Sequence, residues 1–417
     1  MSDLTNNAII ARDSSRLMAV LDTETKNKAL LAISEALIAN KDSIFAANEI
    51  DLAEAEKDGL DMPLFKRLKF DDHKLTDVTN GIKSLIGLED PVGRIALHTK
   101  LDDDLDLYRV TCPIGVIGII FESRPDALVQ IATLCVKSGN AVFLKGGREA
   151  LNTNKVLSEV IYSAGVSAGL PEGWLHLLES REDVTAMLAL NDYIDLIIPR
   201  GSNSFVQYIM KNTSIPVMGH ADGVCHVYID DDCDENLALK VAIDSKTQYV
   251  SVCNATETIL VNRALKDTLF SKLVEELKNK NVEIFFEENV EEWHHEYLDY
   301  KVSIKFVDSL DEAISHINKY SSGHTDCIIT RDGAKAEKFM NSVDSGNVMH
   351  NCSTRFSDGF RYGFGAEVGI STSKLHARGP VGLEGLVTYK YKVYGHGNVV
   401  DDYATGRKTF KHIKCNI

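Results

Sequence analysis

Eight cysteines are scattered through the 417 residues, at 112, 135, 225, 233, 253, 327, 352 and 415. No two lie within three residues of each other, so neither a CxxC redox pair nor a zinc knuckle is present. One of them stands in text suited to chemistry. Cys253 falls in Thr247-Gln248-Tyr249-Val250-Ser251-Val252-Cys253-Asn254-Ala255-Thr256, a polar, loop-like stretch that leads into an apolar strand at residues 258–261. A cysteine at such a junction is partly exposed, with neighbouring amides and Asn254 to stabilise a thiolate or an oxyanion. In isolation the competing role is a buried small hydrophobe. Histidines 220, 226, 316, 324 and 376 show no HxxH or HExxH spacing, so structural roles are favoured for them and no metal is expected.

Cations at glycine-rich corners form the second set. Lys145-Gly146-Gly147-Arg148 and Pro199-Arg200-Gly201-Ser202 each follow a short apolar run. Small residues let backbone amides approach a phosphate, and a helix start adds a favourable dipole. Either corner alone is as readily a tight turn with solvated cations; two in one sheet favour the phosphate reading. The dinucleotide fingerprint GxGxxG does not occur, so that motif carries nothing here. Arg124, in Phe121-Glu122-Ser123-Arg124-Pro125, interrupts a strand end, and Arg355, Arg361 and Arg378 stand in glycine-rich, poorly periodic text. A guanidinium fork binds carboxylate and phosphate bidentately. Salt bridges to the abundant acids are the alternative for each.

The elements that must carry these residues alternate. Residues 6–88 are helical, with Leu30, Ile33, Leu37 and Ile44 on one stripe. Residues 94–112 change to alternation around an acidic turn, which predicts a protruding hairpin. From 115 to 230 strands and helices follow one another: strands at 115–121, 141–144, 174–178, 194–198 and 223–229, with helices at 125–138, 151–164 and 183–190 between them. Strands separated by helices of this length imply a parallel, doubly wound sheet. A second α/β unit follows, with strands at 257–261, 282–286 and 327–330 and helices at 265–278 and 310–320. Residues 386–394 alternate weakly and read as a strand.

Composition bounds the partners. Lys plus Arg number 45 against 61 Asp plus Glu, a formal charge of −16. That balance argues against a nucleic-acid binder and against adhesion to anionic membranes. Small anionic ligands stay open, since a few local cations outweigh a distant field. The N-terminus lacks a signal peptide's basic start and apolar core, and the strongest apolar run, at 114–121, is far short of the roughly 20 residues a spanning helix needs. A reducing, cytoplasmic setting with free thiols is expected.

Thr247-Gln248 followed by Cys253-Asn254, with Pro113-Ile114-Gly115-Val116-Ile117-Gly118 upstream, resembles the aldehyde dehydrogenase superfamily. The likeness is sharpest at residues 307–328, in Ala313-Ile314, His316-Ile317, Tyr320-Ser321-Ser322 and His324-Thr325-Asp326. It extends through residues 121–125, 198–202, 351–356 and 374–382. The resemblance implies an α/β fold with two doubly wound parallel-sheet domains and a small β oligomerisation element. Residues 1–93 and 113–230 would bind the cofactor, and 231–360 would form the catalytic domain. Residues 94–112 and 383–417 would build the oligomerisation hairpin and tail of a homo-oligomer, with 361–382 returning to the cofactor domain.

Within the superfamily the likeness points to the branch that reduces the acyl phosphate L-glutamyl 5-phosphate to the semialdehyde, with NADPH, in proline biosynthesis from glutamate. An acyl phosphate is already activated, so a thiolate can expel phosphate without strong acid help. By resemblance Cys253 forms a thioester and Asn254 or nearby amides hold the oxyanion. Lys145, Arg148, Arg200, Gly201, Ser202 and Glu296 meet the cofactor. Arg124, Ser353, Thr354 and Arg355 meet the substrate. The kinase that makes the labile acyl phosphate, glutamate 5-kinase, is the candidate protein partner. One departure favours this branch over hydrolytic members, which carry a glutamate base after the second cofactor corner. No Glu occurs from Asp183 to Asp234, so a thioester would survive until hydride or phosphate reached it. The competing readings are a dehydrogenase using another acyl donor such as a CoA thioester, a non-catalytic oligomeric protein of the same fold, and a cysteine hydrolase.

Overall fold

The computed structural model describes residues 3–122, 124–201, 203–219, 222–364 and 367–417. Two parallel sheets carry the chain. The first runs Leu175–Leu177, Ala141–Lys145, Val116–Ile120 and Leu196–Pro199 in spatial order. Val116–Ile120 and Ala141–Lys145 bury every residue, as expected for strands covered by helices on both faces. Between them Pro125 opens the helix Pro125–Ser138 and Gly139 closes it in the left-handed region, φ 73°. A Cβ at Gly139 would stand 2.9 Å from the Pro113 ring, so the turn demands glycine twice over.

The N-terminal helices Thr23–Ala39 and Asp72–Gly87 complete this first unit. They bring Leu30, Ile33, Val78 and Ile82 onto a core that also holds Ile117, Leu128, Leu144, Leu157 and Trp174. Val368 and Val381 join the same core with Leu383 and Leu386. The second sheet has six strands, in the order Asn347–His350, Thr325–Ile329, Cys225–Ile229, Thr256–Asn262, Lys301–Val307 and Glu283–Phe286. Its core is built on Val227, Ile259, Leu273 and Val302.

The hairpin Ile95–Asp102 with Leu105–Pro113 is present, and the tail does join it. Val387–Tyr394 pairs with the second hairpin strand and Ile413–Lys414 with the first, giving a four-stranded antiparallel sheet. No helix among the described residues is long and apolar enough to cross a membrane.

One boundary differs from the sequence reading. Cys225–Ile229 pairs with Thr256–Asn262 and Thr325–Ile329, so this strand belongs to the second sheet, and the first unit does not extend to 230. Periodicity marks a buried strand but says nothing of which sheet receives it. The helix Glu235–Thr247, capped by the Asp234 side chain on Leu237 N–H, was also not foreseen. Nor were the strand Lys301–Val307 and the helix Gly333–Ser342.

Candidate active site

A cleft of about 880 Å³ opens between the two parallel-sheet units. Cys253 and Asn254 line it from the second unit, on the turn between the helix Glu235–Thr247 and the strand Thr256–Asn262. That turn is held from several sides. Gly223 presses on it so closely that a Cβ there would stand 2.4 Å from the Cys253 Cα. The Cys225 thiol donates to the Cys253 carbonyl at 3.2 Å, and the Thr354 hydroxyl donates to the Asn254 carbonyl at 2.7 Å. The Asn254 carboxamide donates to the Ser357 carbonyl at 2.8 Å, which fixes its orientation.

The electrostatics of this wall oppose ionisation of the nucleophile. Burial first, then the charges of Glu296 and Glu367, push the Cys253 thiol up to about 12, against the opposing pull of Arg200. Burial also raises Glu296 to about 7, although a Gly223 N–H bond to its carboxylate works the other way. Behind the turn lies an ion pair with no exposure on either side chain: Lys246 Nζ stands 2.7 Å from Glu257 Oε2. Burial raises Glu257 to about 7 against the pull of Lys246. The other oxygen of Glu257 accepts the Leu298 N–H at 3.3 Å. Leu298 holds a left-handed backbone, φ 51°, and its carbonyl accepts the Ser251 hydroxyl at 3.4 Å. The Glu296 loop and the Cys253 turn are thus fastened to one buried pair.

The first unit supplies the opposite wall. Arg124, Arg200 and Gly201 line the cleft with Lys66, Arg67 and Lys74 from the N-terminal helices. Arg200 was expected to face the cofactor; its guanidinium lies close enough to sense Cys253, Arg124 and Glu367, and burial holds it below its ordinary pKa. Ser202 lies outside the described residues. Arg355 lines the cleft beside Ser357 and Asp358, its Nε donating to Gln248 at 3.0 Å.

Ser353 and Thr354 need correction. Both are buried, 5% and 0% exposed, and their hydroxyls turn inward. The Ser245 hydroxyl donates to Ser353 at 3.3 Å, and Thr354 binds the Asn254 carbonyl. They sew the Arg355 loop to the nucleophile turn and do not line the cleft. Arg378 is an ion-pair partner of Asp344, at 3.1 Å.

Lys145 and Arg148 stand apart, at the end of the strand Ala141–Lys145. This corner fits a nucleotide. Gly146 packs so tightly that a Cβ would lie 2.1 Å from Asn154 Nδ2. Lys145 is buried and bonds the Gly146 carbonyl at 2.5 Å; burial lowers its pKa against the charges of Glu149 and Asp183. Arg148 is exposed. A half-satisfied buried ammonium beside an exposed guanidinium suits ribose hydroxyls and a phosphate. Sequence reasoning missed Lys66, Arg67, Lys74, Asp126, Glu257 and Glu367. A lysine on an amphipathic helix reads as a solvated one, and nothing local marks it as facing a distant turn.

The chain matches the aldehyde dehydrogenase family over residues 5–291 and 302–384. It is 62% identical over 410 residues to the gamma-glutamyl phosphate reductase of Ruminiclostridium cellulolyticum, covering 96% of this chain and 95% of that one. It is 58% identical over 420 residues to the enzyme of the same name from Acetivibrio thermocellus, covering 98% and 97%. The crystal structure of gamma-glutamyl phosphate reductase from Thermotoga maritima superposes with a TM-score of 0.92 at 38% identity, over 95% of this chain and 100% of the other. With its cysteine cleft between two parallel-sheet units, the chain belongs to the aldehyde dehydrogenase family, in the branch of the gamma-glutamyl phosphate reductases.

Proposed function

We propose that this chain reduces L-glutamyl 5-phosphate to L-glutamate 5-semialdehyde and phosphate, with NADPH as hydride donor, in the making of proline from glutamate. The observation that carries the reading is one cleft in which Cys253 faces Arg124, Arg200 and Arg355. A nucleophile surrounded by guanidinium groups suits an anionic acyl donor. The names and close identity of the relatives point the same way.

The first step belongs to this chain's own residues. Cys253 Sγ attacks the acyl carbonyl; the S–C bond forms, the C–O bond to phosphate breaks, and phosphate leaves with the electron pair. Because burial and nearby acids raise the thiol's pKa, a carboxylate must take its proton. Glu296, poised at about 7, and Glu367, on the cleft wall and raised by burial, are the acceptors at hand. Arg200 offsets the negative charge that develops at sulfur. Lys145 and Arg148 would hold NADPH, which when bound would supply a hydride; as the thioester carbon takes it, the C–S bond breaks, Cys253 leaves as thiolate and the aldehyde is released. Arg148 is the cation for the 2′-phosphate and so for NADPH over NADH. Between Asp183 and Asp234, the stretch after the second corner, no glutamate stands to serve as a dedicated base for water.

The remaining assignments fit this frame. The first unit holds the cofactor and the second the nucleophile. The antiparallel sheet, with Tyr389, Tyr391, Val393 and Tyr394 more than half exposed, is the surface for a homo-oligomer. The protein works in the cytoplasm, where a glutamate 5-kinase docked on it would shorten the path of the labile acyl phosphate. The test is a reverse assay with semialdehyde, NADP and phosphate, followed at the NADPH absorbance band. Turnover that needs phosphate and vanishes in Cys253→Ala supports the reading. Steady turnover without phosphate contradicts it.

A further inference from the structure

Asp126 is the second residue of the helix Pro125–Ser138 and its side chain is only 5% exposed. A single oxygen of its carboxylate, Oδ2, receives two cations: Arg124 Nη2 at 3.1 Å and Lys74 Nζ at 3.2 Å. Lys74 comes from the first turn of Asp72–Gly87, 52 residues upstream. One carboxylate cannot neutralise two cations, and each spends only part of its donor set on that oxygen. Both stay accessible from the cleft, with side chains 34% and 40% exposed. Arg200 stands near enough for the Arg124 charge to work against its own. Three cations meet here against two acids, Asp126 and Glu367, so positive charge is left over for an anion in the space between them. Of the acids on the same walls, Glu367 also acts on Arg200 and Arg124, its charge shared with the Gly359 amide. Glu367 accepts the Gly359 N–H at 2.8 Å, and Glu122 lies beside Arg67 and Glu149.

We propose that Lys74, Arg124 and Arg200 form the subsite for the phosphoryl group, with Lys74 a substrate-binding residue and Asp126 the positioning residue that yokes it to Arg124. The inference rests on the acyl-phosphate reading above. A tetrahedral dianion matches several convergent donors with net positive charge. The amino-acid end of the substrate carries both signs and needs an acid beside a cation, which the corner of Arg355, Asp358 and Gln248 supplies. The group nearest the attacked carbonyl is the phosphate, and Arg200 links this cradle to Cys253.

Inorganic phosphate is the probe, in the reverse reaction of the full-length protein. Lys74→Met is expected to raise KM for phosphate at least tenfold and leave KM for semialdehyde and for NADP within twofold. Lys74→Arg should recover most of the affinity. Asp126→Asn should raise the same KM by less, with kcat changed less than KM, a split that general loosening of the fold would not give. Should Asp126→Asn fail to fold, the two Lys74 variants decide alone, together with the rise in Tm that phosphate gives the unaltered protein and that Lys74→Met should abolish. An unchanged phosphate KM in Lys74→Met overturns the subsite. So does a rise confined to NADP, which would assign the cradle to the cofactor's phosphate, or one confined to semialdehyde. Loss of the phosphate requirement in the unaltered protein would instead overturn the acyl-phosphate reading itself.

Discussion

The two walls of the cleft are built to opposite electrostatic plans. On the second unit, burial and Glu296 raise the Cys253 thiol to about 12, with Glu367 adding to the rise from beside Val368 on the first unit. Behind it the Lys246–Glu257 pair is wholly buried. On the first unit, Lys74, Arg124 and Arg200 converge with one buried carboxylate between two of them. Neither wall is a working site alone. The nucleophile wall raises its thiol above the ordinary range, and the cationic wall has no nucleophile. An anionic acyl donor brought in by the cations places its electrophilic carbon beside the sulfur.

The contrast can be broken most severely at Arg200, where the walls meet. Arg200→Gln removes a cation that draws the Cys253 thiol downward, and kcat should fall by about 100-fold or more. Iodoacetamide should label Cys253 more slowly in the variant at neutral pH; unchanged labelling would sever the link between the walls. Next in size is Glu257→Gln, which strands the Lys246 charge in the interior. Breaking a buried pair on one side costs about 3–5 kcal/mol, read as a lower urea midpoint, and Lys246→Met with Glu257→Leu should return much of it.

A smaller effect follows from Glu296. Its folded carboxyl is raised to about 7 from an ordinary value of 4.5, so the folded chain keeps a proton that the unfolded chain releases. The stability this group gives is complete below about 4.5 and is lost as pH rises through about 7. Tm should therefore decline between pH 5 and pH 8 by more in the unaltered protein than in Glu296→Gln; equal slopes would remove Glu296 from the account. Smallest is Ser353→Ala, expected to lose about 0.5–1.5 kcal/mol from two weak buried bonds, to Ser245 and to the Arg355 N–H, with substrate KM unchanged. A large rise in KM would restore the substrate role that burial denies it.

What was legible in the sequence follows from range. Val116–Ile120 is apolar and follows Gly115, and Ala141–Lys145 is apolar up to its last residue and runs into Gly146-Gly147, so local text announces both. Cys253 was visible because polar, aperiodic residues precede a strand. The helix Glu235–Thr247 was not, since Lys246 and Glu257 are charged residues whose burial only their pairing permits. The sheet that receives Cys225–Ile229 is a matter of topology. Lys74 and Asp126 are paired across 52 residues, a contact that no period or motif encodes. Ser353 and Thr354 misled for the converse reason, since polar residues in a loop read as ligand contacts until their hydroxyls are seen to face inward.

The central claim, a Cys253 thioester discharged by phosphate and shielded from water, is tested most directly by a burst experiment. Semialdehyde and NADP are mixed rapidly with the protein, phosphate is withheld, and NADPH is followed while the intact mass of the protein is measured. The account predicts about one equivalent of NADPH per Cys253, an acyl adduct on that residue, and renewed turnover once phosphate is added. Continuous NADPH formation without phosphate, or a burst that persists in Cys253→Ala, would contradict it.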